Sequence, residues 1–254
     1  MCELFAADLS AETDIRPWLR KFYSHSVRHP HGWGLMRRSS GGFTEVIREP
    51  VSAIGSRKNT PIVEETIPQK IALAHIRLAT VGAVKIANCH PFTGFDSFGR
   101  RWTMIHNGTI YSGRQLMSYL NTQTGDTDSE RLFMYLMDRV REAQIGGRLT
   151  PEQRFCIVEK LAAELSVRNK LNLIIYDGEV LYVHQNMENT LYFRQLPQGF
   201  LFSTTPLDQQ GWEPVPLTQL VSFRDGEKFM ESSQRTTLFV PNLTRISEMD
   251  AMNI

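Results

Sequence analysis

The chain has 254 residues, 41% apolar and 22% charged, with 28 basic against 27 acidic side chains and a formal net charge of +1. That length buries a real core in one large domain or two small ones, and the balanced charge gives no electrostatic case for nucleic acid or an anionic membrane as partner. No run of about 18 apolar residues predicts a membrane span, no basic-then-apolar leader opens the chain, and three cysteines without C-x-x-C spacing make neither a disulfide framework nor a zinc site, so a reducing cytoplasm is the expected setting.

The opening "MCELFA" puts Cys2 directly behind Met1. Cysteine is a small, often buried hydrophobe, and "CELFAA" suits an ordinary edge strand. It is also easily oxidised, which makes a purely structural role there a poor choice. Ile15, Trp18, Leu19, Phe22 and Tyr23 then recur at helical spacing and predict a helix over 13–25. In "RHPHGWGL" (28–35), His29 and His31 lack a matching ligand set and are rejected as a metal site, while Gly32 and Gly34 around Trp33 suggest close packing near a pocket. Residues 51–68 read as loop. "KIALAHIRLAT" (70–80) reads as a buried strand with Arg77 inside it. In "NCHPF", Cys89 and His90 are neighbours that would point to opposite faces of a strand, so His90 is assigned a structural role.

"RRWTMIHNGTIYS" (100–112) reads as two strands about an Asn-Gly turn. An amphipathic helix follows in "DTDSERLFMYLMDRVREAQ", with Leu132, Phe133, Leu136, Met137 and Val140 on one face, capping-box spacing from Thr127 to Glu130, and Gly146-Gly147 as its stop. Pro151 opens a second helix to about residue 167, whose apolar face should hold Cys156 in the core. The period then becomes two. "LNLIIYDG", "EVLYVHQ", "TLYFRQLP" and "GFLFSTTPL" are four short strands, the first two joined by the hairpin signal Asp177-Gly178. Strands, two helices and more strands argue for an α+β fold with antiparallel sheet, and the absence of a convincing linker for one domain over 1–254. Two Asn-x-Thr sequons, at Asn107 and Asn242, carry meaning only in a secreted chain.

A cysteine nucleophile needs a base. With Met1 removed, Cys2 owns a free α-amine whose ordinary pKa of about 7.7–8.0 leaves a useful fraction unprotonated at neutral pH. One residue then supplies nucleophile and base, as a catalytic N-terminal Thr does. Attack on an amide carbonyl creates an oxyanion, for which Asn107 offers a side-chain NH₂ and Gly108 a backbone N–H; the same pair is also the commonest tight turn. Arg77 in an apolar strand is costly unless paired, either with an internal acid or with a substrate carboxylate. Asp128, at the front of a helix, either serves the helix dipole and cap or receives a substrate ammonium. Arg77 and Asp128 together would grip the two ends of an α-amino acid.

The ordered pieces "MCELFA", "HGWGL", "HIRLATVG", "NCHPF", "HNG", "DTDSE" and "STTPL" resemble the class II glutamine amidotransferases, a branch of the N-terminal-nucleophile hydrolases. The resemblance implies a four-layer α-β-β-α sandwich of two packed antiparallel sheets, with Cys2 as nucleophile, Asn107 and Gly108 as oxyanion hole, and Arg77 and Asp128 as holders of the glutamine carboxylate and ammonium. It spans residues 2–207, leaving 208–254 as an extension too short for the ammonia-consuming domain of many members, and so implies the short, stand-alone branch. Many members carry Trp after this Arg, His three residues beyond that, and His-Pro-His; here those places hold Leu78, Val81 and Phe92.

The expected activity is cysteine-dependent hydrolysis of the γ-amide of glutamine or a γ-glutamyl conjugate. A second reading is the glutaminase subunit that delivers ammonia to a separate synthase. A third, of another class, is a noncatalytic γ-glutamyl sensor, which would not need an oxyanion hole. A fourth is an N-terminal-cysteine amidase acting on apolar acids, against which the Arg77–Asp128 pair argues. No metal, no organic cofactor, no nucleic acid and no membrane is called for.

Overall fold

The computed structural model describes residues 2–39, 41–66 and 68–241. The second sequon, at Asn242, lies outside them. In chain order the elements are β1 (Glu3–Thr13), α1 (Arg16–Ser24), β2 (Trp33–Arg38), β3 (Thr44–Glu49), α2 (Asn59–Glu64), β4 (Gln69–Ile76), β5 (Phe92–Phe95), β6 (Arg101–Thr109), α3 (Asp128–Ala143), α4 (Pro151–Leu165), β7 (Lys170–Tyr176), β8 (Leu181–His184), β9 (Tyr192–Leu196), β10 (Gly199–Ser203), β11 (Trp212–Pro214), β12 (Leu220–Arg224) and β13 (Glu227–Glu231).

The strands form a seven-stranded sheet, β11-β9-β10-β1-β4-β2-β3, and a six-stranded sheet, β13-β12-β8-β7-β6-β5. Every ladder between these strands is antiparallel. Three apolar layers follow from strand alternation. Leu4, Ala6, Leu73, Ile105, Ile174 and Phe202 fill the space between the sheets. Phe5, Ala7 and Leu201 face the other way, onto Leu19 and Phe22 of α1 and Ile62 of α2. Met104, Leu173 and Ile175 pack under Leu132, Leu136 and Val140 of α3 and Val158 and Leu161 of α4. The result is the expected four-layer α-β-β-α sandwich.

The helices start where the chain supplies caps. Thr127 accepts from the Glu130 N–H (3.3 Å), and Thr150 and Gln153 form a reciprocal capping box before Pro151. Between the helices, Gly147 takes φ +121°, the left-handed region that favours glycine.

Several local expectations change. "CELFAA" forms a strand at the centre of its sheet, with β10 on one side and β4 on the other. Asn107-Gly108 is not a turn: β6 runs through it, paired with β7 from Thr103↔Tyr176 to Thr109↔Lys170. Neither residue has the positive φ that a tight hairpin would demand, because continuous pairing holds both extended. Cys156 is exposed; the buried face of α4 is Phe155, Val158, Leu161, Ala162 and Leu165, one position out of phase with it. Residues 51–68 contain α2, whose buried Ile62 was too short a signal to read. Residues after Leu207 supply β11 to one sheet and β12 and β13 to the other.

Candidate active site

Cys2 immediately precedes β1, and its half-buried thiol donates to the Leu78 carbonyl at 3.6 Å. The residues after it hold it in place. The Leu4 N–H donates to Thr204 Oγ1 (3.2 Å), and the Thr204 N–H returns to the Leu4 carbonyl (3.1 Å). The Glu3 carboxylate meets His25 Nδ1 at 2.8 Å and accepts from the Thr205 hydroxyl at 3.4 Å. The "STTPL" segment thus pins the strand behind the thiol.

Arg77 lies just past β4 rather than inside it. Among the described residues no acid lies within ion-pair distance of its buried guanidinium, so the internal ion pair is not its role. Instead Nη1 donates to the Ala83 carbonyl (3.0 Å) and Nη2 to those of Val81 (2.9 Å) and Gly82 (3.0 Å). A guanidinium has five N–H groups, so at most two remain for a ligand. The 78–83 segment folded around it is tied to the start of α3. Asn88 Nδ2 donates to the Ala83 carbonyl (2.7 Å) and, closely, to Asp126; the Asp126 N–H donates back to Asn88 Oδ1 (3.0 Å), and the Asp126 carboxylate accepts from the Ala83 N–H (3.2 Å).

Asp128 is the first residue of α3, while Thr127 is its cap. Its carboxylate accepts from the Ile110 N–H and the Ser129 N–H, both at 2.8 Å. The first of these bonds fixes it beside the end of β6, where Asn107 and Gly108 lie. Asn107 shares the face of β6 that carries Ile105, toward the space between the sheets. Gly108 admits no side chain: a Cβ there would stand 2.0 Å from the Lys170 carbonyl oxygen and 2.4 Å from His106 Nε2. β5 pairs only with residues 101–104 of β6. On the side this leaves open, the His106 N–H points to His90 Nδ1 (3.4 Å). Backbone N–H groups alternate along a strand, so that of Gly108 points to the same open side.

The pieces meet electrostatically. Burial pushes the Cys2 thiol up from its ordinary value; the Arg77 guanidinium pulls it down and the Asp128 carboxylate pushes it up. Three buried imidazoles lie behind them. Burial, then the Arg77 charge, holds His75 at about 3. Burial and then His75 push His90 well down; the two rings stand 4.1 Å apart. Burial also lowers His106, against the pull of Asp128, and its Nδ1 meets the Ser129 hydroxyl at 2.9 Å. All three are therefore neutral at neutral pH and poor proton acceptors there. His90 is wedged between His75 and Phe92, and Cys89 turns away to the Glu49 carbonyl (3.3 Å). The close packing expected of Gly32 and Gly34 is present: a Cβ would stand 2.6 Å from Cys89 Sγ at the first and 2.0 Å from the His90 carbonyl oxygen at the second. Clefts of about 400 Å³ and about 740 Å³ lie elsewhere, and neither lining includes Cys2, Arg77, Asn107, Gly108 or Asp128.

A family model described as glutamine amidotransferases class-II matches residues 1–201. The chain belongs to the class II glutamine amidotransferases. An uncharacterized protein of Methanocaldococcus jannaschii is 25% identical over 94% of this chain and 73% of its own length. YafJ of Escherichia coli is 28% identical over 82% and 81%. Among solved structures, a predicted glutamine amidotransferase from Pseudomonas aeruginosa superposes with a TM-score of 0.58, at 21% identity, covering 90% of this chain and 95% of that one. The glutamine phosphoribosylpyrophosphate amidotransferase of B. subtilis superposes with 0.65, at 15% identity, covering 92% of this chain but 49% of that one. These likenesses show the N-terminal-nucleophile hydrolase fold.

In this family member, the sequence alone did not single out Asn88 and Asp126, which hold the 78–83 segment, Ser129 and His106, which back Asp128, or the Thr204–Leu4 exchange. "NCHPF", "HNG", "DTDSE" and "STTPL" carried these residues as motif letters, but their partners lie 38, 23 and 200 positions away.

Proposed function

We propose that this chain hydrolyses the γ-amide of glutamine or a related γ-glutamyl compound, with Cys2 as the nucleophile once Met1 has been removed. The observation that carries the reading is the Cys2 thiol donating to the carbonyl of Leu78, the residue after Arg77, with Asp128 tied to the end of β6 next to Asn107 and Gly108. Arg77 would take the substrate α-carboxylate on its remaining N–H groups, and Asp128 the α-ammonium. The free α-amine of Cys2 accepts the thiol proton as sulfur attacks the γ-carbonyl. The Asn107 NH₂ and the Gly108 N–H stabilise the oxyanion. Collapse expels ammonia, or an amine, which leaves with the proton from the α-amine; water then hydrolyses the thioester to glutamate and restores the thiol. The neutral histidines do not compete as bases at this pH, which favours the α-amine. We read residues 1–254 as one amidotransferase domain working in the cytoplasm without metal or cofactor. Passing the ammonia to a separate synthase would require a partner chain. No helix among the described residues is long and apolar enough to cross a membrane.

The test is a screen of γ-glutamyl amides for glutamate release by protein whose intact mass shows loss of Met1. A γ-glutamyl chloroketone should alkylate Cys2, and Cys2→Ala should fold but release no glutamate. Full turnover by protein with a blocked, unprocessed N-terminus would overturn the mechanism.

A further inference from the structure

Lys170 opens β7 and is buried, yet the reaction above gives it no part. Its place is set by register and alternation. It pairs with Thr109, one residue beyond Gly108, while Leu171 pairs with Gly108 and Asn172 with Asn107. Lys170, Asn172, Ile174 and Tyr176 share one face of β7, and Ile174 and Tyr176 pack in the core between the sheets. Cys2 extends the face of β1 that carries Leu4 and Ala6, which enter the same core from the opposite sheet. The lysine therefore projects from one sheet toward the end of the sandwich where the thiol projects from the other.

We propose that Lys170 is the positioning cation of the nucleophile: its ammonium stabilises the Cys2 thiolate and disfavours protonation of the α-amine on the same residue. The inference rests on Cys2 being the nucleophile. Burial lowers the Lys170 ammonium to about 8, against the pull of the Cys2 thiolate, so it remains mostly charged at pH 7. Coulomb attraction is reciprocal, so the thiolate gains from the lysine what the lysine gains from it. The other charged or titratable groups around the thiol are the chain's own α-ammonium, Arg77 after β4, Asp128 on α3 and Cys89. Of the charged and titratable groups near Lys170, Cys2 acts on the lysine, and the lysine in turn lowers His106. Arg77 is committed to the 78–83 carbonyls and to the substrate carboxylate, and Asp128 opposes the thiolate. Lys170 thus brings a cation toward the sulfur from the sheet opposite β1.

The experiment uses processed protein and iodoacetamide, with alkylation of each cysteine read by peptide mass spectrometry from pH 5.5 to 9.5. Exposed Cys156 is the internal reference. Lys170→Met should move the Cys2 profile up by about 0.5–1 pH unit, roughly three- to tenfold slower alkylation at a fixed pH below the midpoint, and Lys170→Arg should restore most of it. Because Lys170 is buried, Lys170→Gln stands beside Lys170→Met, and circular dichroism confirms the fold of each. Unchanged Cys2 profiles in the folded variants overturn the proposal. So does a profile that stays put while kcat/KM falls only for substrates with an anionic leaving group, which would make Lys170 a substrate contact. If the wild-type Cys2 resists a γ-glutamyl chloroketone, it is the nucleophile assignment that fails, and that arm is read independently of Lys170.

Discussion

Asp128 illustrates how two roles for one side chain can be separated. Because Thr127 is the cap, Asp128→Asn leaves the cap intact, and the amide oxygen still accepts a backbone N–H. The variant should fold as wild type and lose about 10- to 150-fold in kcat/KM, the value of a charge-assisted contact of about 1.5–3 kcal/mol. Wild-type turnover by the mutant would return Asp128 to the helix end alone. Asn107→Ala should lower kcat by about 10²–10³ with a smaller change in KM, since an oxyanion donor acts in the transition state; an effect confined to KM, measured by steady-state kinetics, would demote it to ground-state binding. These residues were legible because their chemical type, in order, restricts what they do. Lys170 was not: at the head of "KLNLIIYDG" it reads as a polar strand end, and only the register with β6 brings it near the site.

At the scale of elements, α1, α3 and α4 were legible, while α2 and the strand through "HNG" were not. α3 and α4 advertise themselves by local period and caps, which need no distant partner. Asn-Gly has a strong local preference for a turn, and β7 overrides it by pairing continuously with β6 from Thr103 to Thr109. The link between the Arg77 segment and α3 is likewise non-local, and it makes a prediction of its own. Asp126→Ala removes the carboxylate that accepts from Asn88 and from the Ala83 N–H. At about 0.5–1.5 kcal/mol for each of the two hydrogen bonds, the loosened segment should raise KM by about fivefold or more with a smaller change in kcat, because Arg77 loses its scaffold while Asn107 stays. A fall in kcat at unchanged KM would place Asp126 in the chemistry instead.

For the whole molecule, the stacking of the two sheets was implied only by the family resemblance, since no local pattern says which strand faces which. Asp8 marks one place where they are joined. It sits in β1, and its carboxylate accepts from the Gly226 N–H at the β12–β13 turn of the other sheet. Burial raises it to about 7, and its second oxygen has no partner among the described residues. An unfolded Asp titrates near 3.9, so folding takes up a proton between about pH 4 and 7. The native state is then favoured below pH 4 by this group and loses that advantage as pH rises through 7. Asp8→Asn should therefore raise Tm at pH 8 and change it little or lower it at pH 4.5, in thermal melts across that range. An equal shift at both pH values would mean that the carboxylate is not neutral in the fold.

The placement of β1 between β10 and β4 has a consequence for how the protein opens. Terminal segments usually fray, exchanging their amide hydrogens through small local excursions. Here the amides from Leu4 to Ala7 belong to the middle of a seven-stranded sheet, with all four side chains fully buried. They should trade hydrogen for deuterium only when the whole sandwich comes apart, on the same slow timescale as the centre of β7. The sulfur proposed as nucleophile thus stands directly before a strand expected to be among the slowest of the molecule to open. Its reach toward a substrate is set by the motion of what surrounds it.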